Sequence, residues 1–346
     1  MSQIKKYALT SGSAVAALCL ASTNATAQDV SLNYDRLSSL EEPIAFDLGE
    51  VTVEITGVAD APLIVELDNL NDTDSVDGGF VGNFQISAQT QLGNRWTLGA
   101  AYFGQYATGG IEAFSGGDDY TDNVAAFVGT SFGTVLGGNV NGQVREVTRR
   151  QRGVGNGFLA FDDFYGGLDE WGGAYVGRFG PSVLSAAVDE NGDFEVGAVF
   201  QRPIGEKDYR FSVRAANARF TSQDGTTEFD TKGISGVAEF VYGSSIFDLG
   251  AGYERLDSSV VDIDRWYLSA GAQTQTGPWQ FSAEGHYGQA AGDDEFSVGL
   301  GASYDIARGL SANLGVNYQN ADVNAGGVTL IETDEVTAIA SLRFSF

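Results

Sequence analysis

The feature that most constrains this chain is a two-residue period that runs through nearly all of it after Val51. In 308–320, Leu310, Ala312, Leu314, Val316 and Tyr318 share one face, and Ser311, Asn313, Gly315, Asn317 and Gln319 the other. The same alternation sets Phe296, Val298, Leu300, Ala302 and Tyr304 against Glu295, Ser297, Gly299, Gly301 and Ser303. It recurs in 95–106, in 277–289 and in the last segment, where Val336, Ala338, Ala340, Leu342, Phe344 and Phe346 oppose Glu335, Thr337, Ser341, Arg343 and Ser345. Ile339 is the exception there. Successive strand side chains point to opposite faces, so the pattern predicts strands with one apolar and one polar side.

Alternation alone also fits a soluble sandwich. Three features turn it inside out. The segments are long, near the roughly 9–11 residues that cross a bilayer at a tilt. Aromatics gather at segment ends, at Trp96, Phe132, Trp266, Trp279, Tyr304, Tyr318 and Phe346, as at membrane interfaces. The polar faces are rich in Gly, Ser, Asn and Gln, which suits a water-filled lumen. After the N-terminal leader, no unbroken apolar run is long enough for a spanning helix. In lipid no backbone group can stay unpaired, which leaves a closed barrel.

Turn lengths give the topology. Short connections near 93–94, 132–133, 180–181, 203–207, 243–244, 276–277 and 305–307 alternate with mostly longer ones at 69–79, 107–120, 142–173, 221–230, 257–262, 290–293 and 320–333. The connection at 188–193 is a short exception. The fold class predicted is all-β, an antiparallel transmembrane barrel with short turns on one side and long loops on the other. Extended segments number 17, or 16 if 51–68 is one strand bent near Pro62. Both chain ends on one side require an even number, hence 16. A barrel of that size leaves an open channel.

The first residues predict export. Lys5 and Lys6 precede a small, apolar run to Leu20, followed by Ala25-Thr26-Ala27, the arrangement of a cleaved signal peptide over 1–27. Residues 28–346 then form the barrel, with 28–50 as an N-terminal extension. Cys19, the one cysteine, falls in the leader, so disulfides and cysteine sites are excluded. Losing Lys5 and Lys6 and no acid takes the formal net charge from −27 to −29. That excess excludes electrostatic binding of nucleic acid and predicts a mild cation preference.

The stretches QLGNRWTLGAAYFGQY (91–106), SFGTVLGGNVNGQVRE (131–146), YVGRFGP (175–181), FQRP (200–203) and the terminal SLRFSF make the chain resemble the Gram-negative outer-membrane general porins, in particular the alphaproteobacterial type. The likeness covers most of 45–346. It implies a non-enzymatic channel in the outer membrane, surrounded by lipid and lipopolysaccharide, assembled as a homotrimer and passing small hydrophilic solutes and ions by passive diffusion. The terminal Phe346 resembles the signal by which such barrels are recognised for assembly. In the family the third long loop folds into the lumen and narrows it; here that loop is 142–173. Its FDDFYGG lacks the proline usual at the family's loop tip.

The candidate constriction follows from that loop. Asp162, Asp163, Asp169 and Glu170 would sit on it, with Arg145, Arg149, Arg150 and Arg152 at its base and Arg178, Arg210 and Arg214 facing it from the wall. Opposed charges across a low-dielectric gap would create a transverse field that orients polar solutes. Two other classes compete. A lipid-hydrolysing barrel would use His286, but the period puts His286 in the lumen with Ser282 and Glu284, spread along the wall. A plugged structural or adhesive barrel would need large apolar residues facing inward. A solute-selective channel is the nearer alternative. No cofactor is required; the one metal candidate is a structural calcium at Asp68, Asp72, Asp74 and Asp77. That spacing fails the 12-residue calcium loop, so a solvated acidic loop is preferred. GVGNG at 153–157 has no strand–turn–helix context for a nucleotide and reads as loop flexibility.

Overall fold

A computed structural model describes residues 44–346 apart from 69, 71, 72, 109–118, 152, 158, 169, 170, 205, 206, 223, 224 and 226. The expected signal peptide and most of the expected extension lie outside the described residues. Strands β1 (Ile44–Leu48), β2 (Val51–Asp68), β3 (Thr73–Gly78), β4 (Phe80–Gln91), β5 (Thr97–Thr108), β6 (Asp119–Thr130) and β7 (Gly133–Asn139) precede a short helix, α1 (Gln143–Thr148). Then come β8 (Trp171–Phe179), β9 (Ser182–Asp189), β10 (Phe194–Ile204), β11 (Lys207–Thr221), β12 (Glu228–Tyr242) and β13 (Ser245–Asp257). The rest are β14 (Asp262–Thr276), β15 (Trp279–Ala290), β16 (Asp293–Ala307), β17 (Leu310–Ala325) and β18 (Val328–Ser345).

Chain neighbours other than β3 and β4 pair antiparallel, and β18 pairs with β2 from Glu335↔Asp68 to Ser345↔Val58, which closes the barrel. β3 and β4 are one strand broken at Gly79, since both pair with β2. β1 takes the part of the β2 edge that β18 does not reach, from Ile44↔Ile55 to Leu48↔Val51. Sixteen strands therefore form the wall, and Val51–Asp68 is a single strand as expected. Following pairing partners once round the wall returns to β2 about 20 residues further on, a stagger that means strands tilted by roughly 40° and a backbone radius of about 15 Å.

The faces are inside out. Leu300, Leu314 and Leu342 are more than half exposed, whereas Ser297, Asn317 and Ser341 on the opposite faces are buried. Aromatics pair near the strand ends, Trp279 with Tyr304 at 4.7 Å near one end and Trp266 with Tyr287 at 5.8 Å near the other. An exposed apolar wall around polar inner faces is stable in lipid and not in water. Ile339, the exception to the period, faces inward and packs with Ile64, Val81 and Ala107.

Several expectations are corrected. The 320–333 loop is strand: β17 and β18 run on to a turn at Gly326 and Gly327, and β15 and β16 meet at Ala291 and Gly292. Part of the 69–79 loop is β3, and part of the 28–50 extension is β1. The inner face is not polar throughout. Towards the long-loop end Phe229, Leu256, Ile263, Leu330 and Ile331 form a buried apolar cluster with Phe161 of the 142–173 segment. Two neighbours, Leu330 and Ile331, both turn into it because the β17–β18 ladder shifts register between Val323 and Asn324, and a bulge re-aims a side chain.

Candidate functional site

The long connection between β7 and β8 begins with α1, which the sequence reading missed. Val140, Val144 and Val147 recur at helical spacing and all are buried. Val140 and Val144 pack with Phe103, Phe127 and Leu136, and Val147 with Val176, Val183 and Val199. Inward apolar side chains of the wall are thereby covered by the connection. Arg145 and Arg149, one turn apart, remain about a third exposed.

Beyond α1 the chain runs along the inner side of the wall. Gln151 donates its amide to Glu239 (2.5 Å), Gly153 to Gln273 (3.0 Å) and Val154 to Ser282 (3.3 Å). Asn156 bonds Ser341 (3.1 Å) through its side chain and accepts from Asn317 (3.2 Å). These partners lie in turn on β12, β14, β15, β18 and β17. The segment then returns, with Tyr165 and Gly166 donating to Glu254 on β13 (3.0 and 3.3 Å) and Gly167 to the carbonyl of Arg219 on β11 (3.3 Å). The GVGNG run is a docking site for backbone on backbone, which corrects its reading as flexible. A Cβ on Gly301 would lie 1.9 Å from the Val154 oxygen, and one on Gly315 2.1 Å from the Asn156 carbonyl carbon.

Arg265, on β14, joins segment to wall. It is fully buried and donates to the carbonyls of Phe161 and Asp163, the latter at 2.7 Å. Its remaining donors meet Glu295 (3.0 and 3.1 Å) and Glu254 (3.4 Å), and Tyr165 stacks on it at 4.0 Å. Burial pushes the Tyr165 hydroxyl far above the usual tyrosine range, against the pull of Arg265, and that hydroxyl donates to Glu295. Neither Arg265 nor the inward acids Glu239, Asp248, Glu254 and Glu295 was singled out in the sequence. The period did contain them: Trp266 faces lipid, so Arg265 faces in.

The structure brings most of the expected residues together, in contact and not across a gap. Asp162 accepts from Arg150 (3.1 Å) and Ser269 (2.5 Å). Asp163 pairs with Arg145 (2.7 Å) and Arg214. Arg150 also reaches Asp248, Arg149 pairs with Glu146 (2.9 Å), and Arg210 pairs with Glu239. The physical reason is burial. Arg210 and Arg214 are 2% and 4% exposed, and a guanidinium that far from water needs its counter-charge in contact. Burial pushes the Asp163 carboxyl up, but the charges of Arg145 and Arg214, with the hydrogen bonds from Arg214 and the Phe164 amide, outweigh it and hold it below 3.8. Arg178 faces inward on β8 and makes no ion pair among the described residues. Arg152, Asp169 and Glu170 lie outside the described residues.

His286 does face inward, but behind the segment, 3.7 Å from both Asp162 and Glu295. Of the calcium candidates, Asp77 pairs with inward Ile64 and Asp74 with outward Leu67, so these two diverge. Asp72 and the Asp68 side chain lie outside the described residues.

A family model of the Gram-negative porins matches residues 14–324. No curated protein matches the chain in sequence. Among solved structures, an anion-selective porin from Comamonas acidovorans is similar at TM-score 0.64 and 12% identity, over 86% of this chain and 100% of that one. OmpT, an outer membrane protein of Vibrio cholerae in its trimer form, is similar at TM-score 0.65 and 14% identity, over 86% and 100%. A mutant of the Rh. blastica porin gives TM-score 0.54 and 16% identity, over 85% and 100%. At such identities the likeness carries the fold, a closed 16-strand barrel, and the family match carries the rest: the chain belongs to the Gram-negative porins and forms a channel in the outer membrane.

Proposed function

We propose that the channel passes small hydrophilic solutes and ions by passive diffusion, without catalysis, through a lumen narrowed by the β7–β8 connection. The observation that carries this reading is the course of that connection. Its bonds run along the inner side from β11 to β18, α1 lies on β9 and β10, and Val140 and Val144 cover inward residues of β5 to β7, so the water path is left beside the part of the wall, centred on β2 to β4, that the connection does not cover. In this reading the eight charged candidates among the described residues divide. Arg150, Arg210, Arg214 and Asp162 hold the connection in place. Arg145, Arg149 and Asp163, each about a third exposed, present charge to passing solutes, and Arg178 lines the wall. Ion preference then follows these few groups more than the acid excess of the whole chain. Assembly as a homotrimer is part of the proposal, supported by the trimer form of the similar Vibrio cholerae protein.

Swelling of liposomes carrying the purified protein, in sugars of increasing size, tests the reading. Uptake should fall steeply with solute size and not saturate. Swelling no faster than in protein-free liposomes would refute diffusion, and saturable uptake of one sugar would favour a solute-selective channel.

A further inference from the structure

We infer that Arg265 sets the width of the channel. It is a positioning residue that grips the constriction by its main chain, so the aperture and the charge of the constriction depend on different side chains. The inference rests on the reading that 149–168 narrows the lumen.

The two carbonyls that Arg265 holds belong to Phe161 and Asp163, on either side of Asp162. Two amides that follow, from Tyr165 and Gly166, go to Glu254, which itself meets Arg265 at 3.4 Å. The wall thus offers one cation to carbonyls and one carboxylate to amides. Both contacts are made to the segment's main chain, and the segment's Tyr165 side chain backs the guanidinium, stacking on it and donating to Glu295. Glu295 takes the Nε edge of the guanidinium, and Tyr165 and Tyr267 lie against its faces at 4.0 and 4.9 Å. Only a planar fork of five donors can meet two carbonyls and two carboxylates at once; an ammonium of the same charge cannot. By contrast, Asp162 and Asp163 attach through side chains to Arg150, Arg145 and Arg214. Loss of one such pair leaves the main-chain grip intact.

The test uses the full-length protein in planar bilayers, with heat-modifiable migration in detergent gels to show that each barrel is folded. Arg265→Met and Arg265→Lys should both raise single-channel conductance by about twofold or more, because the ohmic path widens where it is narrowest, and both should admit larger neutral polymers. Asp163→Asn should leave conductance close to wild type and move the reversal potential in a salt gradient towards anions. Tyr165→Ala, which lies off the wall and cannot prevent barrel closure, should widen the channel as Arg265→Met does. The inference is overturned if folded Arg265→Met or Tyr165→Ala keeps the wild-type conductance and polymer limit. It is equally overturned if Arg265→Lys restores them, or if Asp163→Asn widens the channel as much. A chain shortened across 154–165 separates the two readings: if it too conducts like wild type, the constriction itself is refuted.

Discussion

Phe346, the last residue, exchanges two main-chain hydrogen bonds with Gly57, at 2.7 and 2.9 Å, and its ring lies where a Gly57 side chain would begin. These bonds continue the β18–β2 ladder past Ser345↔Val58. A Cβ on Gly57 would sit 2.6 Å from the ring. Gly57→Val should therefore weaken the seam by ~1–3 kcal/mol, the usual cost of overpacking. The check is the temperature at which the folded band disappears in a heat-modifiability gel. An unchanged temperature would mean that the terminal ring is free to move aside.

Gly301 and Gly315 face each other across β16 and β17, and both lie under the 154–157 backbone. Gly315→Val should push that backbone off the wall without breaking the ladder, since any L-residue can occupy an extended strand. Larger and noisier single-channel steps are expected from a barrel of normal heat stability. Wild-type steps would show that the segment can dock without this close approach.

Acid should change the ion preference of the channel and not its width. The Asp163 carboxyl is held below its ordinary 3.8 by Arg145 and Arg214. A group whose value is depressed in the folded state keeps its charge and its pairs above its ordinary value, and loses them as pH falls through the depressed one. The Asp163 pairs should thus be complete at neutral pH and decline below pH 3.8. The reversal potential in a salt gradient, recorded from pH 7 down to pH 3, should move towards anions in that lower window with little change in conductance, and Asp163→Asn should remove that part of the shift. A shift centred near neutral pH in the wild type would assign the effect to another group.

Leu314 faces lipid in the first half of β17, with more than half its surface exposed. Leu314→Arg should cost ~2–4 kcal/mol in a bilayer, the depth-dependent penalty for a cation on the lipid face. Thr337→Arg, which points inward opposite Asn317, should stay within about 0.5 kcal/mol. Denaturant titration of both variants in lipid vesicles measures the difference; equal costs would contradict the assignment of faces.

The wall was legible in the sequence because a strand needs only a two-residue period, and Leu310 to Gln319 display it without knowledge of their neighbours. The β17–β18 hairpin was less so. Its tip carries Asn, Ala and Gly, the composition of a loop, yet Val323 and Ile331 pair across it. Helix α1 was missed because six residues are too few for a period to stand out, although Val140, Val144 and Val147 were in plain view. The charged candidates were found by type, and their pairing was not. Asp162 is 107 residues from Ser269 and Arg150 is 98 from Asp248, and only closure of the barrel brings them together. Arg265 could have been placed on the inner face from Ile263 and Tyr267, but nothing local marks it as holding a backbone 102 residues away.

The most direct test of the account is the single-channel conductance of the purified protein beside that of a chain shortened across 154–165. The account predicts discrete ohmic steps from the intact chain and distinctly larger ones from the shortened chain, both as folded barrels. Steps of equal size, or none from the intact chain, would contradict it.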